Sequence, residues 1–167
     1  MSNQISVGDE APDFSLPSQD GGVVRLKDLL KTKEVVLYFY PKDNTPGCTT
    51  EAKAFRDSYE AFKEFGAEVV GVSSDSVNSH AEFASKCALP FTLLSDPGGS
   101  VRKLYGVPST MGFLPGRVTY VIDSKGIVRH VFSSQMNVTR HVEEAISVLK
   151  SMRASGSLSG VPEGHTS

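Results

Sequence analysis

Residues 34–73 read EVVLYFYPKDNTPGCTTEAKAFRDSYEAFKEFGAEVVGVS, and this stretch decides the fold. It opens with Glu34-Val-Val-Leu-Tyr-Phe-Tyr40 and closes with Ala67-Glu-Val-Val-Gly-Val-Ser73, two near-continuous apolar runs typical of strands covered on both faces. Between them, from Thr49, apolar residues recur at helical spacing, and Gly66 follows as a C-terminal stop. Strand, helix and strand in this order predict a crossover unit.

The flanking segments extend this unit into a larger sheet. Upstream, Phe14-Ser-Leu and Val23-Val-Arg-Leu surround Ser18-Gln-Asp-Gly-Gly22 and predict an N-terminal hairpin. The predicted downstream elements are a helix from Ser76 that stops before Pro90, a strand at Phe91 to Ser95, a short helix at Gly99 to Tyr105, a hairpin of Val118–Ile122 and Ile127–Phe132, and a helix from about Val138 to Met152. This order predicts an α/β, thioredoxin-like fold: a mixed central sheet with helices on both faces and an N-terminal hairpin.

Length and composition indicate one domain, at residues 1–152, followed by a flexible Gly/Ser-rich tail at 153–167. The net charge of -2 comes without a basic stripe, so no nucleic-acid partner is expected. Apolar runs fall well short of the roughly 20 residues that cross a bilayer, so no membrane partner is expected. The first residues lack a signal-peptide layout, and we expect a cytoplasmic protein.

The chain has two cysteines, Cys48 and Cys87. This is too few for a disulfide scaffold and fits a reducing compartment. Cys-x-x-Cys is absent and the histidines lack metal-ligand spacing, so neither a metal nor another cofactor is expected. These histidines are His80, His130, His141 and His165.

Cys48 stands directly after the first central strand and directly before the helical pattern. The first N–H groups of a helix have no internal partner, and the helix dipole places partial positive charge there. Both effects favour a thiolate over a thiol, so Cys48 is the candidate nucleophile.

Pro41-x-x-x-Thr45-x-x-Cys48 resembles the active-site signature of the peroxiredoxins. Up to about Met152, further motifs in the same order resemble the bacterioferritin-comigratory-protein, or peroxiredoxin Q, subfamily. They are Gly8-x-x-Ala-Pro-Asp-Phe14, Tyr38-Phe-Tyr-Pro-Lys-Asp43, Thr45-Pro-Gly-Cys48, Glu51-x-x-x-Phe-Arg-Asp57, Gly71-Val-Ser-x-Asp75, Leu94-Ser-Asp96 and Leu114-Pro-Gly-Arg-x-Thr-Tyr-Val121. The resemblance implies an antioxidant thiol peroxidase that reduces hydrogen peroxide and organic hydroperoxides, is recycled by thioredoxin or another thiol, and is a monomer.

The resemblance also implies roles for individual residues. Cys48 would be oxidised to sulfenic acid, Thr45 would hydrogen-bond the peroxide, and Arg117 would lie against the sulfur. Taken alone, Thr45 also fits a helix-capping or turn hydroxyl, and Arg117 a surface charge. Pro41 would both end the strand and cover Cys48.

Two residues of the same segment are supporting candidates. Glu51 would hydrogen-bond Arg117 or a loop amide, although an acid in a first helical turn also suits the helix dipole. The backbone N–H groups of Gly47 and Cys48 are further donors for bound peroxide.

The step that reduces Cys48 again is open. In many subfamily members a resolving cysteine lies five residues after the first, and here that position is Lys53. Others carry it on the following helix, where the matching residue is Ala84, one turn before Cys87. Cys87 is therefore either a resolving cysteine, which requires Cα atoms within about 7 Å, or a small core residue. In the second case an external thiol resolves Cys48.

Two other functions are alternatives to a peroxidase. A redox-sensing interaction module would use Cys48 oxidation as a switch, with no need for Thr45 or Arg117. A disulfide oxidoreductase is disfavoured because the chain lacks Cys-x-x-Cys.

Overall fold

The computed structural model of the protein describes residues 4–110 and 114–154. The strands are β1 (Ser15–Pro17), β2 (Val23–Arg25), β3 (Glu34–Phe39), β4 (Ala67–Ser73), β5 (Thr92–Ser95), β6 (Ser109–Thr110), β7 (Leu114–Pro115), β8 (Val118–Ile122) and β9 (Val128–Ser133). The helices are α1 (Leu26–Leu30), α2 (Pro46–Asp57), α3 (Tyr59–Glu64), α4 (Val77–Lys86), α5 (Ser100–Leu104) and α6 (Val138–Ala154), with a 3₁₀ turn at Pro97–Gly99. Within these described ranges, no helix is long and apolar enough to cross a membrane.

Five strands form a mixed sheet in the order β5-β4-β3-β8-β9. β3, β4 and β5 are parallel, as expected for strands joined by helices, whereas β8 and β9 form the predicted antiparallel hairpin. β1 and β2 pair as the N-terminal hairpin. The prediction of a thioredoxin-like mixed sheet is therefore confirmed.

The central strand β3 alternates its side chains between two cores, and helices cover both. Val36 and Tyr38 face the core formed with α2, α4 and α6, which also contains Cys48 and Cys87. Leu37 faces the opposite core, formed with α1 and α5. Residues of β3 are buried throughout, which explains its continuous apolar sequence.

The helix after β3 differs from its predicted course at both ends. It begins at Pro46, three residues before the predicted start, because proline suits the first helical position and Thr45 is extended before it (φ −93°, ψ 155°). Its last residue is Asp57, because the backbone of Ser58 leaves helical angles, and α3 then places Phe62 in the core. The early start moves Cys48 inside the first turn.

The C-terminal helix α6 reaches Ala154, two residues beyond the predicted domain end at 152. The remainder of the predicted tail, residues 155–167, lies outside the described residues. The division into domain and tail stays a prediction.

Candidate active site

Cys48 is the third residue of α2, at the end of the loop that follows β3. Its side chain is almost fully buried, with 1% of the residue exposed. The first intrahelical bond runs from the Thr49 N–H to the Thr45 carbonyl, at 2.8 Å. Helix geometry therefore leaves the N–H groups of Gly47 and Cys48 without an intrahelical acceptor, directed at the space before the helix.

Arg117 reaches the sulfur from the neighbouring strand, since it is the residue immediately before β8, which pairs with β3. Its Nη1 lies 3.5 Å from Cys48 Sγ, and its Nε donates to the Gln135 carbonyl at 3.3 Å. The preceding Gly116 has no room for a side chain, because a Cβ there would run into the Pro108 carbonyl oxygen. Arg117 is thus buried, with 6% of the residue exposed, rather than lying on the surface.

Glu51 lies on α2 one turn after Cys48, and the same Arg117 Nη1 donates to its Oε1 at 2.6 Å. The Glu51 side chain is fully buried. Burial raises the pKa of Glu51 to about 8, although the charge and hydrogen bond of Arg117 act in the opposite direction. Because α2 begins at Pro46, Glu51 is not an acid of the first turn, and the helix dipole does not account for it.

His141, on α6, lies behind Glu51, with its Nδ1 3.6 Å from Glu51 Oε2. The imidazole also contacts the Ser134 carbonyl through Nε2 and the Thr119 hydroxyl through Nδ1, each at 2.8 Å. Burial lowers the pKa of His141 to about 4, the hydrogen bond to Ser134 opposes this, and Arg117 lowers it further. The ring is therefore neutral at physiological pH.

The loop between β3 and α2 brings the remaining candidates close to the helix start. Thr45 is partly exposed, makes no side-chain cap and donates its hydroxyl to the Lys42 carbonyl at 2.9 Å, so in this state it is a turn hydroxyl. Pro41 is partly buried at the end of β3. At Gly47, a Cβ would come within 3.2 Å of Arg117 Nη2, which explains why this position suits glycine.

Asp43 anchors this loop through a buried network that the sequence did not reveal. Its carboxylate receives hydrogen bonds from Tyr40 at 2.6 Å and Ser79 at 2.7 Å, and lies 2.8 Å from His80 Nδ1. His80 Nε2 faces the Leu94 carbonyl at 2.9 Å. Both ring nitrogens thus face oxygen atoms, and His80 links the active-site loop to β5.

Asp75 extends the network, and its carboxylate accepts the Asp43 N–H at 2.8 Å. Ligand-type atoms of Asp43, Asp75 and His80 lie within 4.8 Å of one another. Residues far apart in sequence meet here, so the spacing of the histidines could not have indicated this cluster. Its atoms are engaged in hydrogen bonds with one another and with neighbouring hydroxyl groups, and they tie the active-site loop to α4.

Cys87 is the residue directly after α4, rather than part of that helix, and is 3% exposed. Both cysteines are free thiols and belong to the same apolar cluster. Arg56 of α2 donates to the Cys87 carbonyl at 2.8 Å. The next residue, Ala88, has a φ of 53°, in the left-handed region that disfavours residues with a side chain. Lys53 is exposed on α2.

A buried cysteine at a helix start, beside an arginine from a distant strand, on a thioredoxin-like sheet defines a thiol-based oxidoreductase. Comparisons with known proteins narrow this class. The model of the AhpC/TSA family matches residues 7–131. The chain is 51% identical over 150 residues to chloroplastic peroxiredoxin Q of Oryza sativa subsp. japonica, covering 89% of this chain and 69% of that protein. Identity to chloroplastic peroxiredoxin Q of Arabidopsis thaliana is 53% over 148 residues, covering 88% and 68%.

Solved structures agree with this result. Peroxidoxin BcpB of Mycobacterium tuberculosis is 40% identical with a TM-score of 0.84, covering 89% of this chain and 99% of that one. The chain therefore belongs to the AhpC/TSA family, in its peroxiredoxin Q subfamily. It is a thiol-dependent peroxidase, which reduces peroxides at the expense of thiols.

The prediction of a cytoplasmic location is wrong on this comparison, because the curated relatives are named as chloroplastic. The residues that carried the resemblance belong to the catalytic fold. Such residues do not indicate the subcellular location, since targeting signals lie outside the folded domain.

Sequence reasoning missed His141, Thr119 and the Asp43–His80 pair. In the sequence His141 is one of four histidines without metal-ligand spacing, and Asp43 is only the last residue of a motif. An apolar helix face that contains a histidine, as both α4 and α6 have, was the one available signal.

Proposed function

We propose that Cys48 is the peroxidatic residue and that Arg117 activates it. The observation that carries this proposal is the 3.5 Å contact between Arg117 Nη1 and Cys48 Sγ in a buried site. A fixed guanidinium stabilises a thiolate and offers a second N–H to a peroxide oxygen beside it. The Arg117 side chain would therefore both stabilise the Cys48 thiolate and bind the peroxide.

In the oxidation step the Cys48 thiolate attacks one peroxide oxygen. The S–O bond forms as the O–O bond breaks, sulfur is oxidised to sulfenic acid, and the other oxygen leaves as water or an alcohol after taking up a proton. The free N–H groups of Gly47 and Cys48 and the guanidinium of Arg117 are the donors for the developing charge. Thr45 turns its hydroxyl from the Lys42 carbonyl to the peroxide when substrate binds.

For the resolving step we propose that Cys87 attacks the sulfenic acid, giving a Cys48–Cys87 disulfide and water. Each cysteine is at a helix terminus, where local opening has a low cost, so neither helix must unwind along its length. The left-handed Ala88 next to Cys87 also favours opening, because its strain is released when the segment rearranges.

We propose thioredoxin as the reductant of this disulfide and a monomer as the active form. The functional groups of the proposed site, Cys48, Glu51, Arg117 and His141, all come from one chain. A second copy is therefore not needed to complete it.

The test is peroxide consumption coupled to NADPH through thioredoxin reductase and thioredoxin. We expect many turnovers for the wild type and none for Cys48→Ser. In a separate sedimentation experiment, the wild type should be a single species with the mass of a monomer. One stoichiometric burst without recycling would instead indicate the redox-sensing module.

Mass analysis of peroxide-treated protein without reductant tests the resolving step. We expect an internal Cys48–Cys87 disulfide in the wild type and its loss in Cys87→Ser. Sulfenic or sulfinic acid on Cys48 together with a free Cys87 thiol in the wild type would contradict the two-cysteine cycle and leave resolution to an external thiol.

A further inference from the structure

The two oxygens of the Glu51 carboxyl group have unlike surroundings. Oε1 accepts the 2.6 Å hydrogen bond from Arg117. Oε2 receives no hydrogen bond from any residue in the described ranges, although the side chain is fully buried. Its neighbour is His141 Nδ1, at 3.6 Å. A buried carboxylate oxygen without a hydrogen-bond donor is costly, so this environment disfavours the ionised form of Glu51.

The hydrogen bonds of His141 show which of its ring nitrogens carries the proton and which one faces Glu51. A carbonyl accepts only, so Nε2, which faces the Ser134 carbonyl, carries the ring proton. In the neutral ring Nδ1 is then an acceptor and receives the Thr119 hydroxyl. An ionised Glu51 would therefore place an unpaired, charged oxygen beside a ring nitrogen that is itself an acceptor and is already engaged by Thr119, whereas protonation of Oε2 removes this charge.

From this geometry we propose that Glu51 is a neutral acid in the resting enzyme and supplies the proton that the leaving oxygen of the peroxide takes up. The proposal rests on the proposed role of Cys48 as the peroxidatic residue. Burial, which raises the pKa of Glu51 to about 8, acts in the same direction as the contacts.

Charge balance supports this assignment. Before the reaction the buried groups are the Cys48 thiolate, the Arg117 cation and neutral Glu51, with a sum of zero. Afterwards they are neutral Cys48 sulfenic acid, the Arg117 cation and the Glu51 carboxylate, again with a sum of zero. The proton has gone to the leaving oxygen, which departs as water or alcohol. A site of low dielectric avoids a net change of charge in this way.

Arg117 contacts both the sulfur that is oxidised and the carboxyl group that supplies the proton. The same Nη1 contacts Cys48 Sγ and Glu51 Oε1, so the oxygen released when the O–O bond breaks at this guanidinium is close to the Glu51 carboxyl. When the thiolate disappears, Arg117 becomes free to stabilise the new Glu51 carboxylate. Arg117 contacts both groups in the resting state, so its charge can stabilise the thiolate before the transfer and the carboxylate after it.

The titratable and charged groups that face Glu51 come from four elements. They are Cys48 on α2, Arg117 before β8, His141 on α6 and Tyr38 on β3. The Tyr38 pKa is raised far above its ordinary value, by burial first and by Glu51 and Cys48 next, and His141 titrates near 4. Neither changes protonation near pH 8.

The test uses Glu51→Gln, which keeps the shape of the side chain and an acceptor for Arg117 but has no acidic proton. With hydrogen peroxide the leaving group is strongly basic, and we expect oxidation of Cys48 to slow by about 100-fold. With peracetic acid the leaving group is acetate, which needs no proton, and we expect a rate within about threefold of the wild type. Glu144→Gln, at a partly exposed carboxylate that also pairs with an arginine, is the control and should match the wild type with both oxidants.

The pH profile of the wild type is a second measurement that does not depend on a variant. Its rate with hydrogen peroxide should fall as pH rises through about 8, because the acid form is lost. Equal slowing of Glu51→Gln with both oxidants would reduce Glu51 to a positioning residue and overturn the proposal, as would no slowing at all. If Cys48→Ser kept wild-type turnover, the proposed function itself would fail, which is a separate result.

Discussion

Arg117 Nη1 lies 3.5 Å from Cys48 Sγ although 69 residues separate them in the chain. The sheet makes this contact possible, since β8, which follows Arg117, pairs antiparallel with β3, which leads to the loop before Cys48. Phe39, at the end of β3, is opposite Val118, the first residue of β8. Pairing of these two strands therefore carries the arginine to the helix start.

Replacing Arg117 by Lys tests the need for its planar fork. Lys keeps the positive charge but has no rigid pair of donors for both the sulfur and a peroxide oxygen. We expect the second-order rate of Cys48 oxidation to fall by about 100-fold, the scale of losing one preorganised donor. Stopped-flow oxidation with hydrogen peroxide measures this rate.

Arg140→Lys is the matched control, because Arg140 also pairs with a glutamate but is 54% exposed in its side chain. Its rate should equal that of the wild type. An unchanged rate in Arg117→Lys would show that charge alone, and not donor geometry, is what the site requires.

The Asp43–His80 pair should contribute to stability in proportion to its burial. Among residues 4–110 and 114–154, two carboxylate–imidazole contacts measure 2.8 Å: Asp43–His80, with side chains at most 1% exposed, and Glu144–His130, with side chains 27% and 29% exposed. Asp43→Asn removes a buried carboxylate that contacts Tyr40, Ser79 and His80, and we expect a loss of about 3 kcal/mol in the free energy of unfolding.

The exposed pair is the internal standard. Glu144→Gln should cost less than about 1 kcal/mol, because water screens and replaces the contact. Urea unfolding of both variants at neutral pH compares them directly. Similar losses in the two variants would mean that the buried network does not hold the active-site loop in the way we describe.

Ala88 offers a prediction in which a substitution by glycine stabilises the protein. Its φ of 53° disfavours any residue with a Cβ, and Ala88→Gly should raise the free energy of unfolding by about 0.5–1 kcal/mol after the entropy of glycine in the unfolded chain is counted. Ala81→Gly, at an exposed position inside α4, should instead lower it by about 1 kcal/mol. Urea unfolding measures both, and a loss of stability in both variants would contradict strain at Ala88.

The same substitution bears on the disulfide. If release of Ala88 strain favours the opening of the segment around Cys87, Ala88→Gly should slow formation of the Cys48–Cys87 disulfide and increase sulfinic acid on Cys48. Quantitative mass analysis after a fixed peroxide dose measures the amounts of the disulfide and of sulfinic acid on Cys48. Faster disulfide formation in Ala88→Gly would argue against this device.

Local sequence patterns predict most of the helices and strands, but they predict only part of the active site. The apolar run of β3 and the stripe of α2 can be read because each depends on residues that are near in sequence. The start of α2 was missed because Pro46 and Gly47 also favour a turn. The break at Ser58 has no glycine or proline to mark it.

The site depends on contacts between distant segments. Pro41, Thr45 and Cys48 are close together in the sequence, whereas Arg117 could be included only because its motif resembles a family pattern. Nothing in the local sequence around His141 specifies that its Nδ1 lies 3.6 Å from Glu51. Such pairings arise from strand order and helix packing, which a single sequence does not encode in any short window.

Glu51 gives a stability prediction that is independent of activity. An ordinary glutamate titrates at 4.5, whereas burial raises the pKa of Glu51 in the folded protein to about 8. Between these values the unfolded chain has lost the proton that the folded protein keeps. A group with a raised pKa contributes most at low pH, so the free energy of unfolding should fall as pH rises, by about 1.4 kcal/mol per pH unit for this proton.

Glu51→Gln removes this titration and isolates it. The free energy of unfolding of the variant minus that of the wild type should grow as pH rises from 4.5 to about 8 and stay constant above. His141, whose pKa is lowered to about 4, has the opposite dependence, with stability lost as pH falls from 6.5, and it cancels because both proteins contain it. Urea unfolding at a series of pH values measures the difference. A difference that does not change over this range would mean that Glu51 is ionised in the folded protein from pH 4.5 upward, and the resting enzyme would then hold no proton at this carboxyl.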